Sequence, residues 1–436
     1  MRKLVACAVV LASCAAMSAP ATAQQPCVAP AAWFPHSQTP EQNSAGFPAN
    51  PNNCDFHQWS WNAFLWLTQS VKGVPRFLGF PADGIETKPG ILSALIGRSP
   101  KARTLESVQQ AGPDGIMVDL QGRPIYYSIH SNATFGDFIK QNGLLDPAKL
   151  RAFDPNKSFP VGTLTLKAAW KIVAPGEDVS TFYTRAAQVA LLTTRNGKIA
   201  ISGRTRPAKV ALVGFHIAGA VNGHPEMIWA TFEHVRNAPD LPEPVNTMAP
   251  DAVVSKDSFT FYKANTPFKD CNINSAGSGA LKLNEARQTL SPVTQVCRII
   301  PSGGGSDTNL GDIKSMNDSV HSQLKDVFNN YFEVGAIWFN GSDALKPNCT
   351  FQPGSLECPI QPGKPLLTGS TQLSNTTVET FTQAQSAQNN CFACHNTVQV
   401  TSPNTTAPSL PGLNVDISHV LINKYFGAAS RQKPKR

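Results

Sequence analysis

The sequence predicts an α+β fold, with an antiparallel β-rich central sheet or sandwich, flanking helices and a short helical segment near the C-terminus. Three observations predict it. Several segments between residues 116 and 235 alternate apolar and polar side chains with the two-residue period of a strand. Turn-forming residues separate them, above all Asn196-Gly197, which suits a two-residue type I′ hairpin. Helical periodicity is confined to the stretches on either side.

Four regions follow along the chain. Residues 1–23 open with Arg2 and Lys3, continue as an apolar run and end in Ala21-Thr22-Ala23, the pattern of a secretory signal peptide with its cleavage site. Leu11-Ala12-Ser13-Cys14 supports a competing reading, a lipoprotein signal that would leave a lipid anchor on Cys14. No later stretch approaches the roughly 20 apolar residues of a membrane span. Residues 24–110 form an N-terminal coil and helical region. There Asp55 is expected to cap a helix over 56–70, with Phe56, Trp59, Ala63, Trp66 and Leu67 on one face. Core packing is expected of Trp59, Trp61 and Trp66, and lining a cofactor pocket is the alternative.

Residues 111–255 read as the β-rich domain. Strands are expected at 116–120 and 124–130 around Gln121-Gly122-Arg123, at 163–173, at 187–194 and 199–202 around Asn196-Gly197, and at 210–217 and 227–235. On the strand at 163–173, Leu164, Leu166, Ala168, Trp170 and Ile172 fall on one side and Thr165, Lys167 and Lys171 on the other. Residues 256–436 read as helices and loops. A helix is predicted over 319–337, and a second over 376–390, where Thr376 and Glu379 fit a capping box.

The chain carries a formal charge of +8, part of it in the terminal run Arg431, Lys433, Lys435 and Arg436. No basic stretch is interleaved with aromatics, so nucleic acid is not an expected partner. Of ten cysteines, Cys7 and Cys14 lie in the leader and Cys391 and Cys394 in a motif. In an oxidising compartment the other six are expected to be structural staples. Nearest-neighbour pairing gives Cys27 with Cys54, Cys271 with Cys297 and Cys349 with Cys358, among other possible connectivities.

The motif is Cys391-Phe392-Ala393-Cys394-His395, a C-x-x-C-H sequence. Its spacing sets two thiols along one porphyrin edge, where they can add to the vinyl groups, and brings an imidazole beneath the iron. A thioredoxin-like C-x-x-C would call for a βαβ context, and a zinc site for a second ligand pair at finger spacing; the sequence has neither. The motif therefore predicts one covalent c-type haem (haem c), bound through Cys391 and Cys394 with His395 as proximal iron ligand.

The sixth iron position is open. No methionine follows Met316, and His419 is the only imidazole downstream of the motif. His216, Met227 and His234 are upstream candidates. Glu233 and His234 do not read as an acid/base pair, because adjacent strand residues point to opposite faces. No nucleophile elbow, P-loop or H-E-x-x-H pattern offers a separate hydrolytic or nucleotide site.

An ordered set of segments joins the motif: Phe56 to Leu67 (FHQWSWNAFLWL), Gly122 to Gly143 with YYSIHSN and FIKQNG, Leu166 to Val173 (LKAAWKIV), Gly214 to Ala218 (GFHIA), Ile228 to Asn237 (IWATFEHVRN), Asn375 to Phe381 (NTTVETF), and DISH ending at His419. In these the chain resembles a bacterial family of large monohaem cytochrome c-like proteins of unsettled activity. The resemblance implies a β-rich body with a short C-terminal haem segment, and by position it draws His216 and His234 into the question of the iron site. The expected function is that of an exported monohaem c-type cytochrome in periplasmic electron transfer, working with a redox partner protein. The alternatives are a haem-dependent oxidoreductase of peroxidase or oxygenase type, and a haem-bearing binding or sensor protein.

Overall fold

The structure is a computed structural model and describes residues 26–36, 44–80, 104–105, 107–108, 115–271, 281–341, 345–351, 366–380, 390–401 and 407–431. The predicted leader, with Cys14, lies outside them. Helix α1 (Asn53–Thr68) opens the fold and leads into a small ribbon of β1 (Ser70–Val71) and β2 (Val74–Pro75). An eight-stranded sheet dominates the rest, with flanking helices, so the fold is α+β. Its strands are β3 (Thr104–Leu105), β4 (Tyr126–Ser131), β5 (Leu164–Ile172), β6 (Thr184–Arg195), β7 (Lys198–Val221), β8 (His224–His234), β11 (Tyr331–Phe339) and β12 (Leu367–Gly369). A separate ribbon is made by β9 (Lys282–Asn284) and β10 (Thr289–Ser291). Helices α2 (Ala133–Asn142), α3 (Pro147–Arg151), α4 (Asp307–Gln323), α5 (Cys391–Cys394) and α6 (Val420–Arg431) complete the regular elements considered below.

The sheet runs β12-β11-β8-β7-β5-β4, with β6 also on β7 and β3 on β6. Every pairing is antiparallel except β3 with β6. The spine is β7. Asn196 and Gly197 both take positive φ, 49° and 72°, as a type I′ turn requires, and return the chain from β6 into a strand of 24 residues. That strand fuses the two separate strands expected at 199–202 and 210–217. Its first half pairs with β6 and its second with β5 and β8.

Several elements differ from expectation for local reasons. Helix α1 starts at Asn53 because Asn52 is the cap: its side chain accepts from the Asp55 amide, and Asp55 accepts from the Asn52 amide at 2.8 Å. The helix expected over 319–337 is α4, begun earlier by the Ser306 cap, and residues 331–339 are strand β11 instead. This run is buried on both sides, so its apolar residues lack the alternation that marks a strand. Residues 116–120 do not pair as a full strand. Val118 bridges Pro124, while the Asp119 carboxylate holds the amides of Gln121 and Arg123. The predicted capping box at Thr376 is replaced by a turn in which Asn375 accepts from the Thr377 amide, and residues 381–389 of that predicted helix lie outside the described residues. The sheet also takes β11 and β12 from beyond residue 255, so one core spans that point in the chain.

Both faces of the central sheet are buried. Leu166, Trp170, Phe215, Phe232 and Trp338 pack on one face against Trp61, Phe64, Met316 and Val320 of α1 and α4. Ala218, Met227, Trp229, Ile337 and Phe339 pack on the other against Phe392, Leu413, Val415, Ile417 and Leu421. The three tryptophans of the first helix belong to the first of these cores. Disulfides join Cys27 to Cys54 and Cys271 to Cys297. Cys349 is disulfide-bonded as well, and Cys358 lies outside the described residues. Among the described residues no helix is long and apolar enough to cross a membrane.

Where α1, α4 and β11 meet, the His57 ring is fully buried between two oxygens. Its Nδ1 is 2.9 Å from Glu333 Oε1 and its Nε2 is 2.9 Å from Asn309 Oδ1, while Asn309 Nδ2 donates to Ser370 Oγ. Two acceptors facing both ring nitrogens define a charged imidazolium. Burial pulls the imidazole down, but the Glu333 carboxylate and the two hydrogen bonds more than offset it, leaving the pKa raised. A raised folded pKa stabilises fully below the unfolded imidazole value and loses that contribution as pH rises through the folded value. Urea unfolding is therefore expected to show stability falling above neutral pH, with that slope absent in His57→Gln. Glu333→Gln, which strands the imidazolium, should cost about 3–5 kcal/mol; a loss below about 1 kcal/mol would contradict the buried-pair reading.

Candidate functional site

The C-x-x-C-H sequence forms α5, one helical turn begun by Asn390, whose side chain accepts from the Phe392 amide at 3.0 Å and donates to Thr371 O. Phe392 anchors the turn. It is fully buried against Phe339, Phe351 and Trp229, which leaves Cys391 half-buried and Cys394 exposed. Both thiols are free. Burial, and after it the Glu379 carboxylate, pushes both thiols up, Cys391 furthest. An attacking or zinc-binding thiolate requires the opposite shift.

His395 follows with its ring between Trp229 and His419, each centroid 4.1 Å away. Its Nδ1 lies 2.7 Å from the Ile417 carbonyl. Nδ1 therefore carries the hydrogen, and the lone pair is on Nε2, the arrangement that fixes tautomer and ring orientation in metal-binding histidines. Burial, followed by His419 and the charges of His216 and Lys167, lowers its pKa well below the ordinary value, so the ring is neutral. Ile417 is presented by the tight turn Asn414–Ser418, in which Asp416 accepts from the Leu413 amide. The turn ends at His419 in the left-handed region, φ 58°, with His419 Nε2 donating to Cys394 O at 2.9 Å.

The second face of the sheet supplies the other wall. Lys167, His216 and Thr231 are register neighbours across β5, β7 and β8. Asn375 donates to Thr231 Oγ1 and to the Phe232 carbonyl, clamping residues 375–379 onto this face. Gly214 permits the approach: a Cβ there would stand 2.0 Å from Thr377 Oγ1. The clamp brings Glu379 Oε2 to 3.2 Å from His216 Nε2. Burial lowers the Lys167 ammonium to about 8, with Glu379 opposing the shift, and the ammonium rests over the Tyr127 ring.

The sequence candidates thus separate. Cys391, Cys394, His395, His419 and His216 come together, whereas His234 lies on the opposite face. There it stacks on Phe182, donates to Thr181 O and accepts from the Arg236 amide, and burial lowers its pKa to about 3. Glu233 turns the other way and pairs with Arg298. Met227 is buried in the same core as Phe392. His419 is stacked on His395 at 22°. In this arrangement the His419 ring backs His395 while its Nε2 is held on Cys394 O.

Sequence reasoning did not single out Trp229, Lys167, Asn375 or Glu379 as parts of the site. The available signal was the strand phase, which puts Lys167, His216 and Thr231 on one face once the pairing is known. Comparison with protein-family models, curated proteins and solved structures finds no significant match for the chain.

Gly214→Ala tests the clamp. Its methyl must displace Thr377, and the expected cost is about 1–3 kcal/mol in urea unfolding. Unchanged stability would show that residues 375–379 yield freely.

Proposed function

We propose that this chain is an exported monohaem c-type cytochrome, with the haem bound by thioethers to Cys391 and Cys394 and by His395 Nε2 to the iron, and that it serves periplasmic electron transfer with a redox partner protein. The observation that carries the proposal is the pairing of two free thiols on one turn with a neutral imidazole whose Nδ1 is tied to Ile417 O. That donor set fits a c-type haem, and the resemblance to large monohaem cytochrome c-like proteins agrees with it. Disulfides between Cys27 and Cys54 and between Cys271 and Cys297 suit an oxidising compartment. The haem would supply a one-electron centre. The chain's own part is to hold the His395 tautomer, to seat the turn through Phe392 and to wall the site with Trp229.

A second reading, a haem-dependent oxidoreductase, is favoured by one observation. The His216 and Glu379 side chains form an ionisable pair beside the motif, a proton donor and acceptor for chemistry at an open iron.

Maturation in a host that attaches c-type haem tests the assignment. The intact mass should exceed that of the polypeptide by one haem, and Cys391→Ala/Cys394→Ala should abolish the increment; a mass equal to the bare chain in the wild type overturns it. Absorption spectra then divide the two readings. An electron carrier is expected to be six-coordinate and low-spin in both redox states and unchanged by CO, whereas a high-spin reduced form that binds CO would favour the oxidoreductase.

A further inference from the structure

A cavity of about 350 Å³ lies away from the motif, between the ends of β5 and β10 and the middle of β7. Four cationic side chains line it: Arg123, Arg206, Lys209 and Arg287. Arg123 is almost fully buried and held rigid, its Nε on Asp119 Oδ2 at 3.0 Å and its Nη2 on Gln121 Oε1 at 2.9 Å and 3.5 Å from Glu177 Oε2. The other three make no side-chain ion pair or hydrogen bond among the described residues. Gln121 and Thr289 add an amide and a hydroxyl to the lining, and Ile172 and Pro207 add apolar wall.

Arg123 is countered by Asp119 and Glu177, whereas Arg206 is half-buried and Lys209 and Arg287 are exposed, so three solvated like charges converge on the cavity with no carboxylate of their own among the described residues. A bound anion would relieve their mutual repulsion. Guanidinium forks match pairs of carboxylate or phosphate oxygens, and several of them favour a ligand with more than one negative charge. The volume falls in the lower part of the range for small-molecule sites, about 300–1,000 Å³, and exceeds what a bare inorganic ion would fill. We propose that this cavity binds a metabolite-sized polyanion, an organic phosphate or a di- or tricarboxylate, with Arg206, Lys209 and Arg287 supplying the charge and Arg123 the fixed donor. The proposal is independent of the haem reading.

Titration calorimetry on the full chain at low ionic strength, with pyrophosphate and with citrate as separate probes, tests it. Saturable one-to-one binding of at least one probe is expected. Pyrophosphate alone would assign the organic-phosphate class and citrate alone the polycarboxylate class. Lys209→Ala and Arg287→Ala should each weaken binding about tenfold, the size of one lost charge-assisted hydrogen bond. Lys198→Ala, on the same hairpin but outside the cavity, should leave it unchanged. No saturable binding of either probe overturns the proposal, and so does an equal loss in Lys198→Ala, which would mark diffuse attraction to a basic surface.

Discussion

The central strands have no solvent side, and this constraint governs the rest of the molecule. Along β7, β8 and β11 alternate residues enter two different cores, and β5 places Ala169 in a third, so a polar residue on either face must find a partner within the protein. Thr231 meets Asn375, Glu233 meets Arg298 and His216 meets Glu379. Those partners come from segments far away in sequence. The C-terminal segment is therefore the second layer of the core, and removing it would expose both an apolar face and the buried polar row.

The same constraint positions the C-x-x-C-H turn. A four-residue helix cannot hold itself in place, since helix nucleation is unfavourable and its terminal groups lack internal partners. It is fixed instead by Phe392, whose burial contributes about 1.5–3 kcal/mol, and by Asn390 on both sides of its start. Trp229, projecting from β8, meets His395 directly, so the orientation of the histidine is set by the sheet as much as by its own turn. A large β-rich body beside a small motif follows from this: the body is the rigid surface against which the histidine is aligned.

How far the sequence discloses this differs from element to element. The strand at Leu164–Ile172, the Asn196-Gly197 hairpin and the C-x-x-C-H turn are legible because each is a local pattern with a local cause. Lys167 was not, because a lysine on the polar side of an alternating strand reads as solvent-facing until something is known to cover it. Residues 331–337 misread as helix for the same reason, since burial on both faces erases the alternation. His216 and His234 are alike as lone histidines in apolar strands. Strand parity separates them, but which parity faces the motif is decided by the packing of the C-terminal segment, and no local pattern records that.

The long strand β7 borders both the basic cavity and the motif. Residues 206–209 line the basic cavity and His216 faces the motif, a separation on the order of 25 Å at strand rise. The stretch between them, Val210 to Phe215, is buried throughout and packed on both sides. Coupling between two sites needs an element with two arrangements that each site biases differently. A strand bonded to neighbours along its length and packed on both faces has no second arrangement at low cost, because interiors at this density resist small displacements. The strand that links the two sites thus also insulates them, and occupancy of the cavity is expected to leave the geometry around His395 unchanged.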